Sequence, residues 1–340
     1  MSDGFLAYAQ ARASQAEALT AAITRLTGAV ESLAEQGVLR GPGPVFVGIG
    51  ASLAAACAPV WALRSRGIHS WRLGAGDHPV PFPVSRHPVF GVSQSGRSSE
   101  TLAALGSIDP AQRYAVVNMV PSPIASTAST ILGLGSIPDS YASTIGYTAT
   151  VAALGILADA WDGGRIDDGW ARLGAVFAAV ERDLDDQVRA LAPLFADVKS
   201  ADFVGAGPAV GSAEESALLF REVARIPSTG MSTRQYLHGS MESAGDGVHV
   251  IFGGRPEHTV AETLAYSGHP VILVTDEPVA AAPLLHPVLL PKLPATQSAV
   301  VEILVAQILV EAVAEVRGVD VEEFVFHNSD IKVAAERPSV

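Results

Sequence analysis

The chain has 340 residues, which is long enough for two domains of ordinary size. Of these residues, 49% are hydrophobic and only 17% are charged. Its formal net charge of −13 argues against nucleic acid and against an anionic membrane surface as partners. No apolar run is long enough to span a bilayer, and the first residues do not resemble a secretory signal. The single cysteine, Cys57, excludes an internal disulfide framework, so we expect a cytoplasmic protein.

The first half alternates predicted helices and strands. Residues 5–35 predict one or two helices, which end at Gly41-Pro42-Gly43-Pro44. A strand at 44–50 enters a glycine turn, and a helix follows to about residue 66. Strands at 89–92, 114–118 and 130–134 come next, followed by a long apolar helix over 141–161. Successive strand–turn–helix units of this kind are typical of a doubly wound parallel sheet in the α/β class.

The pattern then starts again after Asp162-Gly163-Gly164 and a helix predicted over 170–192. The segment 202–207 repeats the pattern of 45–50. Later correspondences are 248–253 with 89–91, 270–275 with 114–118, and 298–318 with the long helix of the first half. An offset of roughly 155 residues indicates a duplicated domain rather than a short-period array. We therefore predict a first domain over 1–165, a linking helix over 166–196 and a second domain over 197–340.

One stretch, 89–102, combines a short apolar strand, a small polar turn and the start of a helix. The first amides of a helix have no partner within the helix, and the helix dipole places partial positive charge there. Around Gly96, the side chains of Ser93, Gln94, Ser95 and Ser98 add donors. The pattern favours a site for a phosphate monoester, and the alternative is a serine-rich helix cap without a ligand.

The corresponding turn of the second half reads Gly253-Gly254-Arg255 and carries no hydroxyl groups. We therefore expect only the first half to bind phosphate. His249, His258 and His269 lack the close spacing of metal ligands, so we predict neither a metal nor another cofactor.

Six short motifs carry a resemblance to a known family. The first half contains Gly48-Ile49-Gly50-Ala51-Ser52, Val92-Ser93-Gln94-Ser95-Gly96 and Tyr141-Ala142-Ser143-Thr144. The second half contains Leu219-Phe220-Arg221-Glu222-Val223, Leu237-His238-Gly239 and Ile331-Lys332-Val333. With these motifs the chain resembles tandem sugar isomerase (SIS) domain proteins. It is similar to the isomerase half of glucosamine-6-phosphate synthase and to related sugar-phosphate isomerases, deaminases and deglycases.

The resemblance implies two flavodoxin-like domains in tandem and a site for a sugar phosphate. It implies phosphate binding by Ser52, Ser93, Gln94, Ser95 and Ser98, and further substrate contacts by Ala51, Ser143 and Thr144. It also implies that Glu222 moves a proton between C1 and C2, that His238 opens the sugar ring and that Lys332 binds the open-chain carbonyl. In the family this histidine reaches the neighbouring subunit's site, which implies a homodimer with shared sites.

Each second-half residue also has a plainer interpretation. Glu222 could be a surface residue paired with Arg221 or Arg225, His238 a loop histidine that caps a carbonyl, and Lys332 a solvated lysine of a polar tail that includes 328–330.

The sequence departs from the family pattern at several positions. Arg97-Ser98 stand where the family usually has Glu-Thr, Ile145 and Leu219 stand where the synthases have lysines, and Pro138-Asp139 stand where a Glu is frequent. No cysteine follows Met1 to act as a glutaminase nucleophile. The sequence thus predicts isomerisation, deamination or deglycation of a hexose phosphate without glutamine hydrolysis. The alternative is a sensor that binds the same ligand without turning it over.

Overall fold

The computed structural model describes residues 5–83, 85–326 and 331–333. The first half and the segment that follows it contain α1 (Tyr8–Ala13), α2 (Gln15–Glu35), β1 (Val45–Gly48), α3 (Ala51–Ala55), α4 (Cys57–Ser65), β2 (Trp71–Gly74), β3 (Val89–Ser93), α5 (Ser99–Gly106), β4 (Arg113–Val117), α6 (Pro123–Thr127), β5 (Thr130–Gly133), α7 (Ile145–Ala160) and α8 (Trp170–Arg189). The second half contains β6 (Ala201–Gly205), α9 (Val210–Glu222), β7 (Ser228–Ser232), α10 (Thr233–Leu237), β8 (Val248–Phe252), α11 (Arg255–Tyr266), β9 (Val271–Thr275), β10 (Leu285–Leu289) and α12 (Ala295–Arg317).

The strands form two five-stranded sheets, in the orders β2-β1-β3-β4-β5 and β10-β9-β8-β6-β7. Every strand pair is parallel. Counted within its own half, each sheet runs second, first, third, fourth, fifth, which is the flavodoxin-like order. The prediction of two doubly wound α/β units in tandem is confirmed.

Three of the strands, β2, β7 and β10, have no counterpart in the sequence prediction, and all three are edge strands. β7 reads Ser-Thr-Gly-Met-Ser and β10 contains Pro287, so neither carries the apolar run that marked the central strands. Edge strands can carry this composition because one side makes no ladder hydrogen bonds and more of the strand meets water.

Both sheets pack on one shared layer of helices. The large hydrophobic core lies between the sheets and this helix layer. Along β1, Phe46 belongs to this large core, while Val45 and Val47 lie in a smaller cluster on the outer face, as the alternation of a strand requires. Phe203 and Phe252 bring the inner face of the second sheet into the same large core. α7 and α12 lie in the shared layer and are buried along almost their whole length. None of the described helices is both long and apolar enough to cross a membrane.

Candidate active site

The serine-rich turn lies at the carboxyl end of β3, between that strand and the start of α5. The Ser93 hydroxyl oxygen accepts the backbone N–H of Gly96 at 3.1 Å, and the Ser95 hydroxyl oxygen accepts that of Arg97 at 3.3 Å. The hydroxyl oxygens of Ser93 and Ser98 lie 3.1 Å apart. These contacts fold the turn tightly and gather its hydroxyl groups at the beginning of a helix.

Ser98 occupies the N-cap position of α5 but makes no side-chain capping bond, since its hydroxyl group faces Ser93. The interpretation of Ser98 as an ordinary helix cap therefore does not account for its side chain. The first amide of α5 is already paired, because the Ser99 N–H donates to the Ile331 carbonyl oxygen at 3.2 Å. Binding of an anion at this helix start would therefore use the amides that follow.

Gly96 is needed where the turn passes the next loop. Its φ of +65° lies in the left-handed region, and a Cβ atom at this position would lie 2.1 Å from the Ser122 hydroxyl oxygen. Only glycine combines this backbone conformation with this close approach.

Ala51 and Ser52 begin α3, directly after the glycine turn that follows β1. β1 and β3 are neighbours in the parallel sheet, so their carboxyl ends lie side by side. Strand order reverses between these two strands, and doubly wound sheets bind ligands at such a position. The fold thus brings Ala51 and Ser52 to the same edge as the serine turn.

Asp139 organises the turn before α7, and the sequence analysis gave it no role beyond a departure from the family pattern. Its carboxylate accepts the hydroxyl groups of Thr144 at 2.6 Å and Ser143 at 3.2 Å, and the backbone N–H of Gly146 at 2.8 Å. Burial raises the pKa of Asp139, while its hydrogen bonds from Thr144, Gly146 and Ser140 act in the opposite direction. A carboxylate four to seven residues before its donors is a signal that the capping patterns used for prediction do not include.

Ser143 and Thr144 therefore hold this turn together through Asp139. Thr144 is fully buried, whereas Ser143 is partly exposed. The Gln94 side chain reaches the same place, because a Cβ atom at Gly146 would lie 2.4 Å from Gln94 Nε2 and 2.6 Å from Asp139 Oδ2. The serine turn and the start of α7 are thus joined through Gln94.

α9 belongs to the second half but lies across α3 and α4 of the first. Near its start, a Cβ atom at Gly211 would lie 2.5 Å from the carbonyl oxygen of Ala54. Two turns later, Leu218 Cδ2 lies 3.4 Å from the position of a Cβ atom at Gly50, in the glycine turn after β1. The helix therefore runs towards the carboxyl edge of the first sheet.

Glu222 is the last residue of α9 and lies one helical turn beyond Leu218, at this same edge. Burial raises the pKa of the Glu222 carboxyl to about 7. Within the described residues it has no ion pair, because Arg221 donates to the carbonyl oxygen of Ser228 and Arg225 pairs with Glu323. The interpretation of Glu222 as a surface residue paired with a neighbouring arginine does not agree with this geometry.

Glu215 lies two turns earlier on α9 and is almost fully buried. Burial, followed by the charges of Glu222 and Asp139, raises its pKa well above the ordinary value of a glutamate. Its Oε2 atom has no hydrogen-bond partner in the described part of the chain. The charges of Glu222, in the second half, and of Asp139, in the first, thus both act on Glu215. Glu215 therefore lies near both Glu222 and the turn that Asp139 organises.

His238 follows α10 and is exposed. α10 begins where β7 ends, whereas Glu222 precedes the start of β7, where its neighbour Arg221 donates to the Ser228 carbonyl oxygen. A five-residue strand spans about 13 Å, so His238 and Glu222 lie at opposite ends of β7 within one chain. The structure does not bring these two residues together in one subunit.

Lys332 lies beside the serine turn and is exposed. It forms an isolated antiparallel bridge with Ser98, and the backbone N–H of Val333 donates to the carbonyl oxygen of Arg97 at 3.0 Å. Arg97 Nε donates in return to the Val333 carbonyl oxygen at 2.8 Å. The segment 331–333 thus pairs with the edge of the serine turn, while residues 328–330 of the polar tail lie outside the described residues.

The second half lacks this arrangement for a specific reason. Glu257, in the first turn of α11, is buried and lies against the turn after β8, where a Cβ atom at Gly253 would lie 2.7 Å from its Oε2. A carboxylate in this position repels a second anion. This geometry supports the expectation that only the first half binds phosphate.

No model of a protein family matches the chain. Two curated relatives are glutamine–fructose-6-phosphate aminotransferases (isomerizing). The protein from Rhizobium leguminosarum is 28% identical over 272 residues, which make up 71% of this chain and 43% of the relative. The protein from Zymomonas mobilis is 30% identical over 68% of this chain and 42% of the relative. The chain thus spans less than half the length of the curated relatives it matches.

Solved structures share the fold across nearly the whole chain. The C-terminal domain of glucosamine-fructose-6-phosphate aminotransferase from Francisella tularensis superposes with a TM-score of 0.79 at 18% identity, covering 94% of this chain and 99% of that one. The resemblance to tandem SIS-domain proteins is confirmed.

Two further structures with the tandem SIS architecture have other names. Tagatose-6-phosphate ketose/aldose isomerase from Escherichia coli gives a TM-score of 0.73 at 16% identity, covering 95% of this chain and 96% of that one. Glucosamine-6-phosphate deaminase from Thermotoga maritima gives 0.71 at 19% identity, covering 91% and 96%. At these identities the likeness concerns the fold alone.

Proposed function

We propose that this protein is a phosphosugar isomerase, or a deaminating or deglycating isomerase, that acts on a hexose phosphate. The observation that carries the proposal is Glu222, a half-buried carboxyl with a pKa raised to about 7. It ends a helix that runs towards the carboxyl edge of the first sheet, where the serine turn lies. A general base is most effective when its pKa lies near the working pH, because it can then both accept and return a proton. Aldose–ketose conversion needs this kind of group: Glu222 takes the proton from C2, a cis-enediol or enolamine forms, and the proton returns to C1.

In this proposal the remaining site residues bind and open the sugar. Ser52, Ser93, Gln94, Ser95 and Ser98 bind the phosphate together with the start of α5, and local donors are needed because the net charge is −13. Ala51, Ser143 and Thr144 contact the rest of the substrate. His238 transfers the proton that opens the ring, and Lys332 binds the carbonyl.

We propose a cytoplasmic homodimer in which His238 is supplied by the partner subunit. The supporting observation is that His238 and Glu222 lie at opposite ends of β7 in one chain. We keep the division at 1–165, 166–196 and 197–340 as a proposal for the domain organisation.

We also propose that the chain does not hydrolyse glutamine. Cys57 is its one cysteine, and burial raises the pKa of the thiol, which leaves little of the nucleophilic thiolate at neutral pH.

One observation favours the second candidate, a sugar-phosphate sensor. Ile145 and Leu219, which replace lysines of the synthases, are fully buried, so no amine of this chain stands at those positions. A site that lacks these two lysines but keeps the serine turn could bind a sugar phosphate without turning it over. The raised pKa of Glu222 favours the enzyme, because ligand binding alone does not require a titratable carboxyl.

A panel of hexose and amino-hexose phosphates, assayed for isomerised product and released ammonia, tests the proposal. We expect turnover of at least one member, and we expect Glu222→Gln to abolish it while phosphosugar affinity stays within about threefold, because the amide keeps the shape but cannot take a proton. The matched control is Glu31→Gln, an exposed position on α2. Binding without turnover of any sugar phosphate would favour the sensor, and full activity of Glu222→Gln would remove Glu222 from the mechanism.

A further inference from the structure

The helix that carries His238 is short and is held by few side chains. α10 has five residues, and only Thr233 and Tyr236 are buried. Arg234, Gln235 and Leu237 are exposed, as is His238 itself. A helix of this length is not stable alone, so its position depends on what anchors it to the domain.

Tyr236 anchors α10 to the centre of the second sheet. Its ring is fully buried, and its hydroxyl oxygen lies 3.1 Å from His249 Nδ1. His249 belongs to β8, which lies between β6 and β9 and is itself almost fully buried at this residue. Burial, with a smaller contribution from the charge of Asp202, raises the pKa of Tyr236, so it stays a neutral phenol. Its hydroxyl group can donate to His249 Nδ1 or accept from it, depending on the tautomer, and the same Nδ1 atom lies 3.5 Å from Asp202 Oδ2.

The other attachments of α10 are weaker guides to its orientation. The Ser232 hydroxyl group caps the helix by accepting the Gln235 N–H at 3.3 Å. The Thr233 hydroxyl group is buried but has no partner within the described residues. In the described ranges, the Tyr236–His249 bond is therefore the one side-chain hydrogen bond that ties α10 to a strand other than β7, which runs directly into it. A phenylalanine would fill the same space without fixing the direction of the ring.

We propose that Tyr236 is a positioning residue whose hydrogen bond to His249 orients α10 and, two residues later, His238 for ring opening. This inference rests on the proposed function, because it takes His238 to be the ring-opening acid–base group. Misorienting such a group slows the chemical step more than it weakens ground-state binding. The serine turn, which we propose binds the phosphate, lies in the other half of the chain. Loss of the Tyr236 hydrogen bond should therefore leave binding of the phosphate unaffected.

The test is Tyr236→Phe, assayed on the substrate found in the panel. We expect kcat to fall roughly tenfold while KM stays within about twofold, since only the orientation of an acid–base group changes. The control is Tyr266→Phe, which removes the hydroxyl group of a tyrosine that is 96% exposed on α11. His249→Asn keeps an acceptor near the position of Nδ1 and should retain activity, whereas His249→Leu should lose as much as Tyr236→Phe.

A double-mutant comparison separates positioning from general destabilisation. Combined with His238→Ala, Tyr236→Phe should cause no further loss, because a residue that acts through His238 has nothing left to orient. Unchanged kcat in Tyr236→Phe, or the same loss in both backgrounds, would refute the positioning role while leaving the proposed function intact. Wild-type activity of His238→Ala, or no turnover by the unmodified protein, would overturn both.

Discussion

At the scale of residues, the site combines a donor-rich turn with a carboxyl whose titration is shifted. Ser93, Ser95 and Ser98 lie in the first half, and Glu222 comes from the second. The sequence motifs named these residues, but they did not predict that Glu222 would be half-buried without an ion pair. Nor did they reveal that Asp139 holds Ser143 and Thr144, because this contact depends on the path of the loop.

The shifted pKa of Glu222 predicts the pH dependence of the reaction. The base acts in its ionised form, so kcat/KM should rise with pH through about 7 and level off above it. An unshifted glutamate would place this rise near 4.5. A pH profile of kcat/KM for the unmodified protein makes the measurement, and Glu31→Gln should leave the profile unchanged. A limb near pH 4.5 would contradict the assignment.

The same shift has a consequence for stability with the opposite sign. Between about 4.5 and 7 the folded chain holds a proton on Glu222 that the unfolded chain has released. The folded state therefore binds more protons in this window, and the Glu222 contribution to stability declines as the pH rises through it.

Ser95→Ala tests whether the turn recognises phosphate. Removing one hydroxyl donor should weaken binding of a sugar phosphate about fivefold, which corresponds to about 1 kcal/mol for a hydrogen bond. Binding of the unphosphorylated sugar should not change. Calorimetric titration of both ligands compares the two losses, and Ser65→Ala on the exposed end of α4 is the control. Equal losses for both ligands would count against a phosphate role.

At the scale of elements, the chain order of the central strands and long helices followed from the sequence, whereas the edges of the sheets did not. β1, β3 and β8 carry apolar runs that a buried parallel strand requires. The predicted helix over 51–66 is two helices, α3 and α4, that meet at Ala56. The predicted helix over 141–161 begins only at Ile145, because Asp139 binds the backbone N–H groups of Thr144 and Gly146 and fixes the preceding residues as a turn.

Gly96→Ala should disrupt the turn that we propose binds the phosphate. The added methyl group meets the Ser122 hydroxyl group, and the left-handed backbone disfavours any side chain, so we expect a loss of about 1–3 kcal/mol in the free energy of unfolding. Gly106→Ala in α5 is the matched control, because a Cβ atom there has no neighbour within 4 Å and the backbone is helical. Denaturant unfolding of both variants gives the comparison. A neutral Gly96→Ala would show that the turn tolerates a different path.

At the scale of the whole molecule, the two halves are joined by more than the chain between them. α12 of the second half packs on α7 of the first, and α9 crosses α3. The ion pair between Arg72 and Glu214 also bridges the halves. This packing directs the end of α9 towards the carboxyl edge of the first sheet, so the proposed site needs both halves.

Mixing two inactive variants tests the proposed sharing of sites between subunits. Heterodimers of Glu222→Gln and His238→Ala should contain one intact site, because each site takes Glu222 from one chain and His238 from the other. With random pairing, half of the dimers are heterodimers with one active site of two, so we expect about a quarter of the unmodified activity. Activity is measured after subunit exchange, and each variant alone is the control. A mixture as inactive as its parents would contradict the shared site.

The sequence was sufficient for the fold class and the repeat of the two halves, because these depend on local periodicity, and its short motifs located the serine turn that we propose binds phosphate. The position of Glu222 relative to that turn depends on how α9 packs on α3, which involves contacts between residues more than a hundred positions apart. The position of His238 depends on how α10 packs on the second sheet. The burial that raises the pKa of Glu222 and the contact that Glu257 makes with Gly253 also exist only after the chain has folded. Long-range packing sets desolvation and distance, and these two quantities determine what a carboxyl group can do.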